Sequence, residues 1–161
     1  FDCVKVGVPS EEEVPYLARN SACKSNTRSI ASITRWAYVG AKGRQPTTAQ
    51  IKQAIYDHGP VSVDVNGNFA RYTGGVYTSC GSNSLNHMVV LDGWVDDDTY
   101  SANGGGYWIM RNSWGTTWGE KGYMRIVYNN KSGGKCNGIG SDTAYAILDD
   151  IENVREYLDI N

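Results

Sequence analysis

His87 and Asn112 are the two residues of this chain whose types and settings could share proton-transfer chemistry. An imidazole titrates near neutrality. To act as a base toward a thiol it must have its other ring nitrogen held, so that tautomer and ring plane are fixed. An amide oxygen provides that hold without the charge of a carboxylate. His87 follows Asn86 and opens the apolar run HMVVLDGW, whereas Asn112 sits in YWIMRNSWGTTWGEKGY. That second stretch contains Trp108, Trp114 and Trp118, three of the chain's five tryptophans. Trp114 and Trp118 are placed to lie over the pair as an aromatic lid, which would exclude water and strengthen the hydrogen bond. Each residue also has a plainer reading. A histidine on a core strand is usually just packed, an Asn in a turn bonds its own backbone, and tryptophans fill cores. Taken together, the residues point to catalysis.

The remaining reactive side chains are cysteines. Cys3, Cys23, Cys80 and Cys136 allow three pairings. None has the close C-x-x-C spacing of a zinc site and only two histidines could assist, so no metal or cofactor is expected. Disulfides formed in an oxidising compartment are the better reading. Asn130-Lys131-Ser132, in a Gly-rich loop, is an acceptor triplet for N-glycosylation if the source is eukaryotic and secretory. The formal net charge of −2 and a pI of about 5.6 argue against nucleic acid or an anionic membrane as the main partner. No apolar run approaches the roughly 18 residues of a membrane span. FDCVKVGV opens as though mid-fold, with neither Met nor signal peptide, and reads as the start of a processed or truncated product.

The elements that must position these residues follow from periodicity. Residues 1–8 read as the last turns of a helix stopped by Gly7, followed by a polar connector punctuated by Pro9 and Pro15. Ile30–Val39 reads as one strand. Thr47 or Thr48 caps a helix in which Ile51, Ala54, Ile55 and His58 recur at helical spacing, with Gly59-Pro60 ending it. Val61–Val65 alternates as a strand. Tyr72–Tyr77 is a turn and short strand, and His87–Trp94 crosses the core. Asp96–Gly106 forms a hairpin loop, and Tyr107–Asn112 and Gly122–Tyr128 are strands flanking the turn that carries Trp114. Residues 149–161 form a charged tail with Ile151, Val154 and Leu158 at helical spacing, a docking helix or a linker. The order describes an α+β chain with a β-barrel-like second half.

At this point the sequence resembles the C-terminal two-thirds of a papain-like (cathepsin-type) cysteine protease, over about residues 1–146. YWIMRNSWGTTWGEKGYMRI resembles the family's asparagine motif, and Asn86-His87 with VVLDGW resembles its histidine strand. KQAIYDHGPVSVDV and EEEVPYLARNSAC resemble further family segments, Val14 standing where a Tyr is expected. The resemblance implies a two-lobed fold, represented here mostly by the antiparallel β-barrel-like right lobe with part of the helical left lobe. It implies a peptidase domain over 1–146 that lacks its N-terminal part, followed by a C-terminal extension or docking tail over 147–161. His87 would pair with the nucleophilic thiolate, Asn112 would orient it, and Trp114 would shield their contact. Cys80 and Cys136 match a family disulfide. Cys23 matches another half-cystine whose usual partner lies further upstream, a place that Cys3 or a residue outside this sequence would take. His58 matches no catalytic position and is read as a helix C-terminal residue interacting with the dipole.

The resemblance also places the nucleophile in a C-G-S-C-W stretch about forty residues before Phe1, and Cys3 lacks that context. The chain is therefore expected to supply the His/Asn half of a site and to be inactive without a companion chain carrying the catalytic cysteine. Partners implied are a peptide or protein substrate and a propeptide or cystatin-like inhibitor. The compartment would be extracellular, periplasmic, lysosomal or vacuolar. Asp64, Met88 and Asp142 fall where the family lines the pocket for the substrate's second residue, and the two carboxylates suggest Arg or Lys there. Two alternatives remain. One is a catalytically inactive relative that holds peptides or serves structurally. The other is an unrelated lectin-like β domain, which the ordered His/Asn/Trp array disfavours.

Overall fold

The structure is a computed structural model that describes residues 7–147 except 16, 18, 23, 25 and 32. The expected pairing of Cys3 with Cys23, the helical reading of residues 1–6 and the tail from 149 onward lie outside the described residues. The chain forms two compact units, Phe1–Trp36 with Ala146–Asn161, and Ala37–Tyr145.

In the first unit, Val8–Pro9 (β1) pairs antiparallel with Ser29–Ala31 (β2). Val8 is therefore strand, not the end of a helix as its neighbours suggested. Pro9 lacks the N–H a helix would need and is tolerated at this short edge. Glu13 ties the connector together: its carboxylate accepts the Arg28 N–H at 2.7 Å and its carbonyl accepts from Lys24 Nζ at 2.8 Å. The single strand expected over Ile30–Val39 is in fact two, β2 and Arg35–Tyr38 (β3). They find different partners. β2 bonds β1, while β3 sits at the end of a second sheet. Alternation alone cannot reveal where a chain changes partner.

The second unit contains the helix Thr48–His58 (α1). Thr47 accepts the Gln50 N–H while the Gln50 side chain accepts the Thr47 N–H, a reciprocal capping box. Ile51, Ala54 and Ile55 form its buried stripe, and the Gly59 N–H closes the last turn on the Ile55 carbonyl. The seven-stranded sheet is built from β3, Val61–Val65 (β4), Val76–Tyr77 (β5), His87–Asp96 (β6), Gly106–Arg111 (β7), Tyr123–Val127 (β8) and Ser141–Ile147 (β9). Its order is β3-β9-β4-β6-β7-β8-β5. Strand alternation buries Val61, Val63 and Val65 of β4, Val89 and Leu91 of β6, Trp108 and Met110 of β7, and Met124 and Ile126 of β8. Each such side chain contributes about 1.5–3 kcal/mol of burial. β6 runs two residues further than its apolar stretch indicated. The expected hairpin loop after it contains a 3-10 helix, Asp98–Asn103, capped by the Asp97 carboxylate accepting the Thr99 N–H.

One close approach governs the β6–β7 hairpin. Gly106 has φ +156, and a Cβ there would lie 2.2 Å from the Val95 carbonyl and 2.8 Å from the Tyr128 ring. The backbone oxygen cannot yield. Gly106→Ala is expected to destabilise the full-length protein by about 3 kcal/mol or more, measured by chemical denaturation; a change within about 0.5 kcal/mol would show that this hairpin is not rigid.

Candidate active site

β6 begins at His87 and β4 ends at its register partner Val65. The Asn86 N–H donates to the Val65 carbonyl at 3.2 Å, and the Asn86 side-chain oxygen accepts the Gly67 N–H at 2.9 Å. Gly67 passes behind the imidazole so closely that a Cβ would sit 3.1 Å from that of His87. The segment delivering His87 is anchored from below. Cys80 and Cys136, separated by 56 positions in sequence, form a disulfide. On the chain-entropy view such a cross-link is worth about 4 kcal/mol. Beside it, buried Asn137 accepts the Gly81 N–H at 2.6 Å and donates to the Asn66 carbonyl at 3.1 Å. Asn66 in turn donates to the Ser84 carbonyl at 2.6 Å.

Asn112 follows directly on β7, and its N–H bonds the Gly122 carbonyl at 2.9 Å. Its Oδ1 lies 2.9 Å from His87 Nε2 and accepts the Ser113 N–H at 2.8 Å. The second bond decides the first. With Ser113 donating to it, the atom facing the ring is the acceptor oxygen, so His87 Nε2 carries the proton. The lone pair then resides on Nδ1, the nitrogen a base would use.

Trp114 lies over the imidazole, ring centres 5.0 Å apart and planes at 24°. It is 38% exposed, so this shield has a solvent side. Trp118 stands against Trp114 at 82° and 5.2 Å, with Nε1 donating to the Ala70 carbonyl at 3.1 Å. Its ring contacts are with Trp114, Phe69 and Tyr72, so it buttresses the shield instead of covering the histidine. Buried Phe69 meets His87, Trp114 and Trp118 together. The turn carrying both tryptophans is clamped by Glu120. That carboxylate accepts Arg125 Nε at 3.0 Å and the Gly75 N–H at 3.2 Å, and the Arg125 guanidinium holds it down to about 2.

Sequence reasoning missed Phe69, Gly67, Asn66 and Asn137. The signals were slight: an isolated aromatic after a Gly-Asn pair, and two asparagines in loops. Glu120 and Arg125 both lie inside the asparagine motif, but nothing in their spacing marks them as a pair.

Asp64 and Met88 face each other in the β4–β6 register, and Asp64 pairs with Ser141 on β9. Met88 is 62% exposed. Asp142 directly follows Ser141, that register partner on β9, and partial burial together with the Asp142 charge pushes the Asp64 carboxyl up. Asp142 also lines a cavity of about 280 Å³ with Arg44, Gln45, Asn83 and Ser141; Asp64 and Met88 do not. His58, at the end of α1, stacks on Tyr145 with ring centres 3.9 Å apart and planes at 4°.

The profile of papain family cysteine proteases matches residues 1–147, and the chain belongs to that family. It is 37% identical over 145 residues to digestive cysteine proteinase 1 of Homarus americanus, an alignment covering 86% of this chain and 41% of that protein. It is also 37% identical over 134 residues to fruit bromelain of Ananas comosus, covering 81% and 36%. The solved structure of bromelain protease from Ananas comosus in complex with the E64 inhibitor superposes with a TM-score of 0.73 at 34% identity, covering 92% of this chain and 67% of that one. The fold is the papain-like α+β fold, mostly its antiparallel β-barrel-like right lobe with part of the helical left lobe. The chain spans about two-fifths of the length of the curated relatives it matches.

The Glu120 clamp yields a pH expectation. Its carboxyl ionises at about 2 in the fold against an ordinary 4.5, so its stabilisation is complete above that ordinary value and is lost as pH falls toward 2. Glu120→Gln should lower the melting temperature at neutral pH, and the gap from the parent should close between about pH 4.5 and 2. A gap constant across that range would show that the carboxylate's charge contributes nothing.

Proposed function

We propose that the complete protein is a cysteine peptidase in which these residues supply the His/Asn half of the catalytic site. The peptidase domain runs over 1–146, with 147–161 as an extension. The nucleophilic thiol comes from a segment outside these 161 residues, either on the same precursor or on a companion chain. The observation that carries the reading is the 2.9 Å contact of His87 Nε2 with an Asn112 oxygen whose identity Ser113 fixes. It leaves a basic Nδ1 on an imidazole held by its other nitrogen and shielded by Trp114.

The chemistry follows. His87 Nδ1 takes the thiol proton, and the thiolate and imidazolium stabilise each other. The thiolate attacks the scissile carbonyl, and the imidazolium protonates the departing amine. Water then enters, His87 accepts its proton, and the acyl-enzyme is released as acid. As His87 becomes cationic, its bond to the neutral amide strengthens without pinning the charge as a carboxylate would. Asn112 is thus a positioning residue.

Substrates are peptides whose second residue before the scissile bond is Arg or Lys, received by Asp64, Asp142 and the Met88 wall. Support comes from the proximity of the two acids, since a cation between them relieves their repulsion. Because burial and the Asp142 charge raise the Asp64 carboxyl, this preference weakens as pH falls, beginning at a higher pH than for an ordinary carboxylate. The working compartment is oxidising, extracellular or lysosomal, in keeping with the Cys80–Cys136 disulfide. A propeptide or cystatin-like inhibitor would bind over the same residues. The isolated 161-residue chain is inactive.

Two measurements on the full-length protein test this. His87→Ala should lower kcat/KM about a thousandfold and Asn112→Ala about thirtyfold, with KM little changed; activity surviving His87→Ala would overturn the assignment, as would a full-length precursor lacking a cysteine nucleophile. With fluorogenic dipeptides, Asp64→Ala/Asp142→Ala should cut kcat/KM at least about tenfold on Arg substrates and not on Leu substrates. Equal losses on both would remove the acids from substrate recognition.

A further inference from the structure

Asn130-Lys131-Ser132 is the sole N-x-S/T triplet in the sequence, and nothing in the peptidase chemistry uses it. It occupies the tight hairpin that leaves β8. The Asn130 N–H donates to the Gly134 carbonyl at 2.7 Å, the Gly133 N–H returns to the Asn130 carbonyl at 3.0 Å, and Asn129 bridges Lys135. Lys131, Ser132 and Gly133 are exposed at its tip.

The Asn130 side chain is divided in its work. Its Oδ1 accepts the Ser132 N–H at 2.9 Å and the Gly134 N–H at 3.1 Å, which holds the turn. Its Nδ2 makes no hydrogen bond among the described residues, and the residue is only half-buried, at the foot of the exposed tip. A Cβ on residue 134 would lie 3.1 Å from that nitrogen, so glycine there keeps its flank open. The nitrogen that a sugar would take is thus free, and the oxygen that the fold needs is a different atom.

We propose that Asn130 carries an N-linked glycan. In the transfer, Nδ2 forms a bond to the anomeric carbon of a lipid-diphosphate-linked oligosaccharide. The carbon–oxygen bond to the diphosphate breaks, the lipid diphosphate leaves with the bonding pair, and the displaced amide proton goes to a base of the transferase. One N–H stays on the nitrogen and Oδ1 keeps both of its bonds, so the folded hairpin accommodates the modified side chain. Position favours it further. Asn112 meets Gly122 at one end of β8, whereas Asn130 lies past the other end of this five-residue strand, whose own length is roughly 13 Å at about 3.3 Å per residue. A glycan there leaves the candidate site open. The Cys80–Cys136 disulfide and relatives drawn from crustacean, plant, nematode and amoeba are consistent with a secretory route in a eukaryote.

The test is secretion of the full-length precursor from a eukaryotic host, followed by peptide-N-glycosidase digestion and mass spectrometry of the peptide containing Asn130. The expected result is an enzyme-sensitive mobility shift of one chain, retained in Ser132→Thr and absent in Ser132→Ala, which leaves Asn130 and its turn in place. Peptidase activity should be equal before and after glycan removal. An unmodified Asn130 in secreted, disulfide-bonded protein would overturn the proposal, as would a shift that persists in Ser132→Ala.

Discussion

The side-chain oxygen of Asn112 holds two donors, and the site depends on that double occupancy. A carbonyl oxygen offers two lone pairs. One goes to the next residue's backbone and fixes the amide's rotation; the other receives the imidazole. Each bond supports the other. Without the backbone donor, the amide could flip and present a donor to the ring, and His87 would then hold its proton on the wrong nitrogen.

For that oxygen to meet Nε2, the start of β6 and the end of β7 must be held at one end of the sheet. The β6–β7 register achieves this, pairing Val90, three residues after His87, with Arg111, the residue before Asn112. A slip of either strand by one position would turn its own reactive-end side chain to the opposite face and separate the pair. The alternating core on β4, β6, β7 and β8 forbids that slip, since it would expose Leu91 if β6 moved, or Trp108 and Met110 if β7 moved, and none of these is accessible now. Packing energy distributed over the sheet thus fixes a distance at its edge. The bulge between Leu91 and Gly93 lies in the middle of the pairing, leaving the register at the reactive end undisturbed.

Much of this was legible from residue patterns. α1 and β4 were visible because cap, periodicity and stop agree, and the His/Asn/Trp set was visible because it lies in two short stretches. What escaped was non-local. The break between β2 and β3 depends on which partner each half finds. Asn66 and Asn137 look like ordinary loop asparagines until 71 residues of separation are closed by their mutual hydrogen bonds. Phe69 gave no periodic signal, because its burial comes from rings contributed by a distant turn. Trp118 was expected over the imidazole but braces Trp114, a distinction of orientation that composition does not encode.

The half-exposed Trp114 shows why the surrounding clamps matter. A shield at the solvent edge cannot rely on burial to stay in place, since nearly two-fifths of its surface faces water. Its orientation must come from rigid neighbours. Phe69 and Trp118 supply the faces, the Ala70 carbonyl fixes Trp118, and the Glu120–Arg125 pair fixes the turn from which both tryptophans project. Arg125 lies on β8, opposite Ile109 of β7, so the clamp belongs to the same sheet that positions Asn112. The shield and the amide it covers are therefore referred to one frame. A ring held this way can exclude water from one face of the His87–Asn112 hydrogen bond without being buried itself.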